Sequence, residues 1–210
     1  IELFGFSFAT NLAGFAFSGE ISYRPDFPVQ INTTEILQGA VGEAPWSTVT
    51  PIVIAAGPGV AVSGYDELPV TQAQVTFIRF FDQVLGASRM SVAAEFGGNW
   101  VGDLPEQSVQ RYGRSPIFGM GYFEPIPIGI PGEFMTCEAG NAIAGVAPPN
   151  TNARNCSTDG YVTDSSWGYR IRGSLTYNDV IGGINLTPSL AWSHDVSGYS
   201  PNSNFTEDAK

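Results

Sequence analysis

Residues 166–195 alternate between apolar and polar side chains along two long stretches joined by a turn. The apolar positions of the first stretch share one parity, and they are Trp167, Tyr169, Ile171, Leu175 and Tyr177. The positions between them are polar or small: Gly168, Arg170, Arg172, Ser174 and Thr176. Successive side chains of a β-strand point to opposite faces, so this pattern predicts a strand with one apolar and one polar face. Residues 178–183 are rich in turn formers, and a second strand alternates back as far as Trp192 and His194.

The first of these strands has the length and the aromatic placement of a membrane-spanning strand. Trp167 and Tyr169 stand at one end of its apolar face and Tyr177 stands at the other. About ten residues at about 3.3 Å each give roughly 33 Å, which is roughly 25 Å of height at a tilt of about 40°. That height matches the apolar band between the two aromatic girdles of an outer-membrane barrel. The alternative is a long antiparallel strand of a soluble β-protein, although such strands usually run about five or six residues.

Two further hairpins of the same design are predicted at about 1–24 and 71–96, beside the one at 166–196. In the first, Phe4, Phe6 and Phe8 alternate with small residues, and a tight turn follows. Pro25 and Pro28 are expected to end its second strand, because proline cannot continue a hydrogen-bonded ladder.

The strand predicted over residues 71–81 breaks its own alternation. Ile78 and Phe80 fall at polar-face positions, and Arg79 falls at an apolar-face position. Two explanations are open: a β-bulge shifts the register there, or Arg79 lies near a membrane interface and extends its charge toward water.

The connections between hairpins are long, whereas the turns within them are short. Long loops are predicted at 25–70, 97–165 and 197–210, so all short turns lie on one side and all long loops on the other, as in outer-membrane barrels. Within the first loop, a short helix is expected from residue 33, capped by Thr33 or Thr34. Residues 51–62 fit either a strand extension or a loop packed into the barrel mouth.

The composition limits the classes of partner and fold. The 210 residues include 20 acidic and 9 basic ones, and the net charge of −11 argues against nucleic acid as a partner. Charged residues make up 14%, well below the roughly 25% of soluble domains. No apolar run is long enough for a transmembrane helix. Six strands are fewer than the roughly eight that a membrane barrel needs, so we expect this sequence to be part of a longer protein.

Cys137 and Cys156 bracket a polar segment rich in proline and asparagine. In an oxidising compartment they would form a disulfide that closes a loop. In the chain-entropy model this bond stabilises the folded state by about 3 kcal/mol. A metal site is disfavoured, because His194 is the single histidine and no CxxC motif is present.

Three segments, residues 18–37 (SGEISYRPDFPVQINTTEIL), 64–89 and 167–201, resemble a family of large proteobacterial outer-membrane proteins of unknown function. Members of that family are commonly encoded near RND-type exporters and a partner family of equally unknown role. The resemblance implies an outer-membrane channel or transporter for hydrophobic or small organic solutes, linked to an export or uptake system. It specifies strands and turns and implies no catalytic chemistry, because a fold does not fix a function.

The sequence therefore predicts an all-β, antiparallel transmembrane β-barrel in the bacterial outer membrane, with about three hairpins in one partial domain. It predicts no enzyme activity, cofactor or metal, and as partners outer-membrane lipid and other envelope proteins of a transport system. The lumen-facing candidates are Glu20, Arg24, Gln72, Gln74, Arg89, Glu95, Arg170 and Arg172. The aromatic-girdle candidates are Tyr23, Trp167, Tyr169, Tyr177 and Trp192. The alternatives are a secreted or surface β-rich binding or adhesion module, and a purely structural outer-membrane anchor.

Overall fold

A computed structural model describes residues 2–40, 44–115, 121–139, 156–202 and 205–207. Antiparallel β-structure dominates these ranges, which confirms the predicted all-β class. The elements are, in chain order, β1 Phe4–Leu12, β2 Phe15–Gln30, α1 Thr33–Ala40, α2 Thr50–Ala56, β3 Tyr65–Asp82, β4 Arg89–Val101, β5 Ile126–Pro127, β6 Phe134–Met135, β7 Ser165–Ile181, β8 Ile184–Leu186 and β9 Ser189–Ser197.

The chain divides into two compact units. Unit 1 comprises Ile1–Phe27, Pro69–Gly102 and Thr163–Lys210, and unit 2 comprises Pro28–Leu68 and Asp103–Val162. Unit 1 contains the three hairpins that the alternation predicts. Unit 2 contains α1, α2 and the short β5–β6 pair. The segments expected as long connections thus carry regular structure of their own.

The main sheet has the strand order β1–β2–β3–β4–β7, and β8 and β9 follow one another along the far side of β7. Two glycines with positive φ, Gly182 and Gly183, form the two-residue turn between β7 and β8, a conformation that favours glycine at both positions. The expected return strand is divided around Pro188, whose carbonyl accepts a hydrogen bond from Leu175 N at 3.0 Å. Proline has no N–H to donate to a ladder, which is why the pairing with β7 is interrupted there.

The prediction that Pro25 and Pro28 end the second strand is wrong, because β2 continues to Gln30. The pairing of β2 with β1 ends at Phe4 opposite Tyr23. Beyond Tyr23 one side of β2 has no β1 partner, so a proline there removes no hydrogen bond from that ladder.

The explanation by a bulge near Arg79 is also wrong. The register of β3 with β4 runs without interruption from Val70 opposite Val101 to Asp82 opposite Arg89. Arg79 lies on the apolar face, with its guanidinium carbon 4.6 Å from the ring centre of Phe15 and 4.9 Å from that of Phe81. The face of an aromatic ring is electron-rich, so these two contacts favour the cation on an apolar surface.

The first helix forms where the sequence predicts one, but its cap is a different residue. The Asn32 side-chain oxygen accepts a hydrogen bond from Glu35 N at 3.0 Å, so Asn32 caps α1 in place of the expected Thr33 or Thr34. Both explanations offered for residues 51–62 miss the helix α2, which has Pro51 in its first turn and Gly57 as its C-cap residue. Among the described residues, no helix is long and apolar enough to cross a membrane.

Most of the buried apolar side chains in the described ranges belong to unit 2, including Val29, Ile31, Phe123 and Tyr161. In unit 1, the buried apolar residues described are Val70, Ala87 and Val101. A sheet of this size in a soluble protein normally covers its apolar face with a second layer. No second layer covers that face within unit 1 among the described residues, and many of its large side chains are exposed.

Candidate functional site

The residues predicted to face a lumen all lie on the polar face of the sheet. Directly paired residues of neighbouring strands lie on the same face. Glu95 pairs with Thr76 on one side and Arg170 on the other, and Gln74 pairs with Gly97. All eight predicted residues share this face by register or by strand parity: Glu20, Arg24, Gln72, Gln74, Arg89, Glu95, Arg170 and Arg172. That this face lines a lumen stays a prediction.

The charges on this face are open to solvent. Arg170 Nη1 lies 3.8 Å from Glu95 Oε1, and the two side chains are 60% and 42% exposed. Such a pair contributes about 0–1 kcal/mol, so it shapes the electrostatic potential more than it stabilises the sheet. Arg172, two residues along β7, has no acidic partner within 4 Å in the described part of the chain. Arg89 pairs with Asp82 at the turn between β3 and β4.

Two depressions lie next to one another on this face. One, of about 330 Å³, has small side chains such as Ala93, Ala191 and Ser193 in its lining and is bordered by Arg170 and Arg172. The other has a volume of about 130 Å³. Its lining includes the polar side chains Gln72, Gln74, Glu95, Arg170 and Asp195, together with Gly97, Gly168 and Phe205. Residues with short side chains lower the floor between longer polar ones, which leaves room for a solute.

The opposite face is aromatic across the whole sheet. Rings from β1, β2, β3, β4, β7 and β9 form a continuous row with centroid separations of 4.7 to 6.4 Å: Phe8, Phe17, Phe77, Phe96, Tyr169 and His194. Other members of this face are strongly exposed, such as Phe6 at 66% and Trp192 at 51%. An exposed apolar surface of this extent in a protein marks a contact with lipid or with another molecule.

All five girdle candidates lie on this aromatic face. Trp167 and Tyr169 are near the first residue of β7, and Tyr177 is near its last residue. Tyr23 pairs with Phe4, and Trp192 pairs with Ile171 in the middle of β7. The girdle role of these residues stays a prediction.

A family model described as "Protein of unknown function (DUF1302)" matches residues 1–210. The chain belongs to this family. The search of curated proteins and the search of solved structures each returned no match.

In this DUF1302 chain, unit 2 contains a buried cluster of polar residues that the sequence reading missed. Glu35 and Arg111 form an ion pair with 3% and 5% of their side chains exposed. Arg111 also donates to the carbonyls of Trp46 (2.8 Å) and Tyr122 (2.7 Å). Glu35 Oε2 accepts from Thr48 N at 2.7 Å. The sequence signal for this cluster is the presence of Arg111 and Arg114 three residues apart in a chain with few basic residues. This spacing is too weak a signal to identify the acidic partner of either arginine.

The same cluster continues to the segment around Tyr161. The guanidinium carbons of Arg111 and Arg114 lie 5.9 and 5.1 Å from the centre of the Tyr161 ring, and Arg114 donates to the carbonyls of Ser157 and Asp159. Burial raises the pKa of the Tyr161 hydroxyl, although the two arginines oppose that rise. These contacts hold together segments that are far apart in the chain and are internal, so we interpret the cluster as structural.

The predicted disulfide is confirmed: Cys137 and Cys156 are bonded, with their Cα atoms 5.7 Å apart. Cys137 packs beside Phe123 in a small apolar cluster that also contains Trp46 and Met135. Across the described ranges, no three His, Cys, Asp or Glu side chains are grouped closely enough to hold a metal ion.

Proposed function

We propose that the sheet of unit 1 is a section of an outer-membrane β-barrel that lets small organic solutes cross the bacterial outer membrane. The observation that carries this proposal is the difference between the two faces of one sheet. One face presents an exposed aromatic row and the other presents charged and amide side chains around two depressions. Lipid-facing and water-facing residues alternate in this way in transmembrane barrels.

The strand dimensions support a membrane-spanning role. β3 has 18 residues and β7 has 17, whereas strands of soluble proteins have about five or six. A strand that crosses a bilayer needs about 9–11 residues when tilted, so β3 and β7 are long enough to span the membrane and project beyond it. The interior strands β2, β3, β4 and β7 have hydrogen-bonded neighbours on both sides, and such pairing is a requirement for backbone within hydrocarbon.

The function that we infer is passage of solute, with no catalytic step and no cofactor. The solvent-exposed Glu95–Arg170 pair and Arg172, which has no acidic partner among the described residues, would set the charge preference of the lumen. Closure of the barrel would require strands in addition to those described, because about eight is the minimum. Lipid would be the direct partner, and envelope proteins of a transport system would be further partners.

The proposal is tested on the full-length protein purified from the outer-membrane fraction in mild detergent. A closed barrel resists SDS until it is heated, so boiled and unboiled samples should migrate differently on a gel. Reconstitution in a planar bilayer should then give conductance steps. A heat-modifiable protein without conductance would identify a structural anchor, and a protein soluble without detergent would identify a secreted binding module. Either result would reject the transport function.

A matched pair of substitutions tests which face meets lipid. Ile171→Arg places a charge on the aromatic face of β7, whereas Ser174→Arg places the same charge on its polar face. A lipid-facing arginine near the middle of the bilayer costs about 2–4 kcal/mol, so the Ile171 variant should assemble poorly while the Ser174 variant assembles normally. The fraction of heat-modifiable protein measures this difference. Equal assembly of the two variants would contradict the assignment of the faces.

A further inference from the structure

The smaller depression on the polar face has Phe205 in its lining, and Phe205 does not line the neighbouring depression. The ring atom Cζ of Phe205 lies 3.2 Å from the position that a Cβ on Gly97 would take. Gly97 points to the polar face, where it pairs with Gln74 and Gly168. The ring therefore stands over the part of the polar face where two glycines of neighbouring strands are adjacent.

Hydrogen bonds fix the segment that carries this ring. Phe205 N donates to Ser200 Oγ at 2.9 Å, and Ser200 N donates to the Phe205 carbonyl at 3.1 Å. Thr206 N donates to Asp195 Oδ2 at 3.2 Å. The Phe205 side chain is thus held at the edge of the depression by bonds on both sides of its own backbone.

The pairing of β9 with β7 is irregular next to Gly168, which also lines the smaller depression. The register of β7 with β9 shifts between Trp167, which is opposite Ser197, and Gly168, which is opposite Asp195. A Cβ on Gly168 would stand only 2.7 Å from the His194 carbonyl and 3.0 Å from Asp195 Oδ1. Only glycine fits at this position, because the His194 carbonyl and the Asp195 carboxylate both lie directly over it.

The open volume beside Phe205 has the size of one ring. It amounts to about 130 Å³. An apolar cavity of about 150 Å³ is known to hold benzene, so a six-membered ring is comparable in volume to this space. The phenyl ring of Phe205 offers a flat surface on which a planar ring can stack, with an energy beyond simple burial.

The charges around this space favour a cation. Glu95 and Asp195 contribute two carboxylates, and Arg170 contributes one guanidinium. Arg170 lies near Glu95 and balances its charge, so the Asp195 carboxylate remains as the excess negative charge. Asp195 accepts a hydrogen bond from the backbone N–H of Thr206. Arg172 borders the neighbouring depression instead. A positive group attached to a ring would therefore be attracted by Asp195 and by the face of Phe205.

We infer that the depression between Gly97, Gly168 and Phe205 is a binding site for a small aromatic cation, that is, a planar ring carrying a positively charged amine or quaternary ammonium group. Phe205 stacks on the ring, the glycines form the floor, and Asp195 selects the positive charge. This inference deepens the proposed function, on which its role in solute passage rests, because it names the class of solute for one point on the polar face.

The test is a ligand-observed NMR titration of the full-length protein in detergent with benzyltrimethylammonium. Tetramethylammonium has the charge without the ring, and benzenesulfonate has the ring with the opposite charge. Both should bind at least about tenfold more weakly than benzyltrimethylammonium. Affinities that agree within twofold for all three compounds would overturn the site.

Four variants connect the binding to these residues. Phe205→Ala should lower the affinity for benzyltrimethylammonium about threefold to tenfold by removing the stacking partner. Gly97→Leu should abolish binding, because a side chain there would meet the Phe205 ring and displace it. Asp195→Asn, which can still accept the Thr206 hydrogen bond, should weaken binding of the cation but not of neutral benzyl alcohol. Phe80→Ala removes an exposed ring elsewhere on the same face and should change nothing. Unchanged affinity in Phe205→Ala and Gly97→Leu would overturn the inference.

The titration separates this inference from the proposed transport function. Binding by a wild-type protein that shows no conductance would reject transport and leave the site in place. Conductance without binding would reject the site and leave transport in place. If both hold, benzyltrimethylammonium should reduce the wild-type current, and Gly97→Leu should remove that block.

Discussion

Replacing Arg111 by methionine should destabilise unit 2 severely while leaving the sheet of unit 1 intact. Arg111 neutralises Glu35 in an interior where both side chains are almost completely covered. Methionine has a similar length and fills a similar volume, so the substitution removes charge and hydrogen bonds more than it removes packing. The remaining Glu35 carboxylate would then be buried with Thr48 as its main hydrogen-bond donor.

The size of the effect follows from the partners that are lost. Removing one member of a buried ion pair costs about 3–5 kcal/mol, because the other charge stays buried without compensation. The partly buried carbonyls of Trp46 and Tyr122 also lose their donor, which adds less than the roughly 1–3 kcal/mol that a fully buried unsatisfied group costs. A total of about 5 kcal/mol is comparable with the entire stability of many domains, which is about 5–15 kcal/mol.

Hydrogen exchange followed by mass spectrometry measures this change locally. Peptides from Pro28–Leu68 and Asp103–Val162 should exchange by at least about a thousandfold faster in the variant, whereas peptides from β4 and β7 should be unaffected. Arg89→Met is the matched control, because the Arg89–Asp82 pair is 61% and 74% exposed and should contribute less than about 1 kcal/mol.

The double variant Arg111→Met with Glu35→Gln decides whether the buried charge is the cause. Glutamine can still accept the hydrogen bond from Thr48, but it carries no charge. Much of the loss should therefore be recovered, and the two substitutions should be far from additive. Additive effects, or a cost below about 1 kcal/mol for Arg111→Met alone, would refute the reasoning.

Three further predictions concern the disulfide, a tyrosine and a glycine. Replacing Cys137 and Cys156 together by serine should lower the stability of unit 2 by about 3 kcal/mol in the chain-entropy model, measured by chemical denaturation; no change would show that the loop is ordered without the bond. Burial and the hydrogen bond to Asp66 raise the pKa of Tyr112 well above its usual value of 10.0, so the stabilising contribution of the neutral hydroxyl is complete below about pH 10 and is lost as the pH rises further. Tyr112→Phe should make the decline of unit 2 stability above about pH 10 shallower, and an unchanged pH profile would contradict the assignment. Gly198 has a φ of 78°, and a Cβ there would contact the backbone of Ser165 and Ser166. Gly198→Ala should therefore lower the free energy of unfolding by at least about 1–3 kcal/mol and should displace Phe205. An unaltered melting temperature and an unaltered affinity for benzyltrimethylammonium would argue against this contact.

The local pattern of side chains was sufficient for the sheet but insufficient at its boundaries. Alternation located the three hairpins and divided their residues between two faces, because the direction of a strand side chain depends only on its position along the strand. The same reasoning ended β2 too early at Pro25, since the cost of a proline depends on whether a neighbouring strand lies beside it. It also left a bulge at Arg79 open beside a position near a membrane interface, and in the structure the register is unbroken and the rings of Phe15 and Phe81 accommodate the charge.

The sequence by itself determined the all-β class, the polarity of each strand face and the pairing of the only two cysteines. These properties depend on near neighbours in the chain or on elimination among few candidates. Only the tertiary structure decided that Glu35 meets Arg111 and that Phe205 lies over Gly97. Both contacts join residues that are distant in sequence, and the path of the intervening chain is set by the free energy of the whole fold. No local periodicity records that path, so neither the buried ion pair nor the proposed cation site could be located from residue patterns.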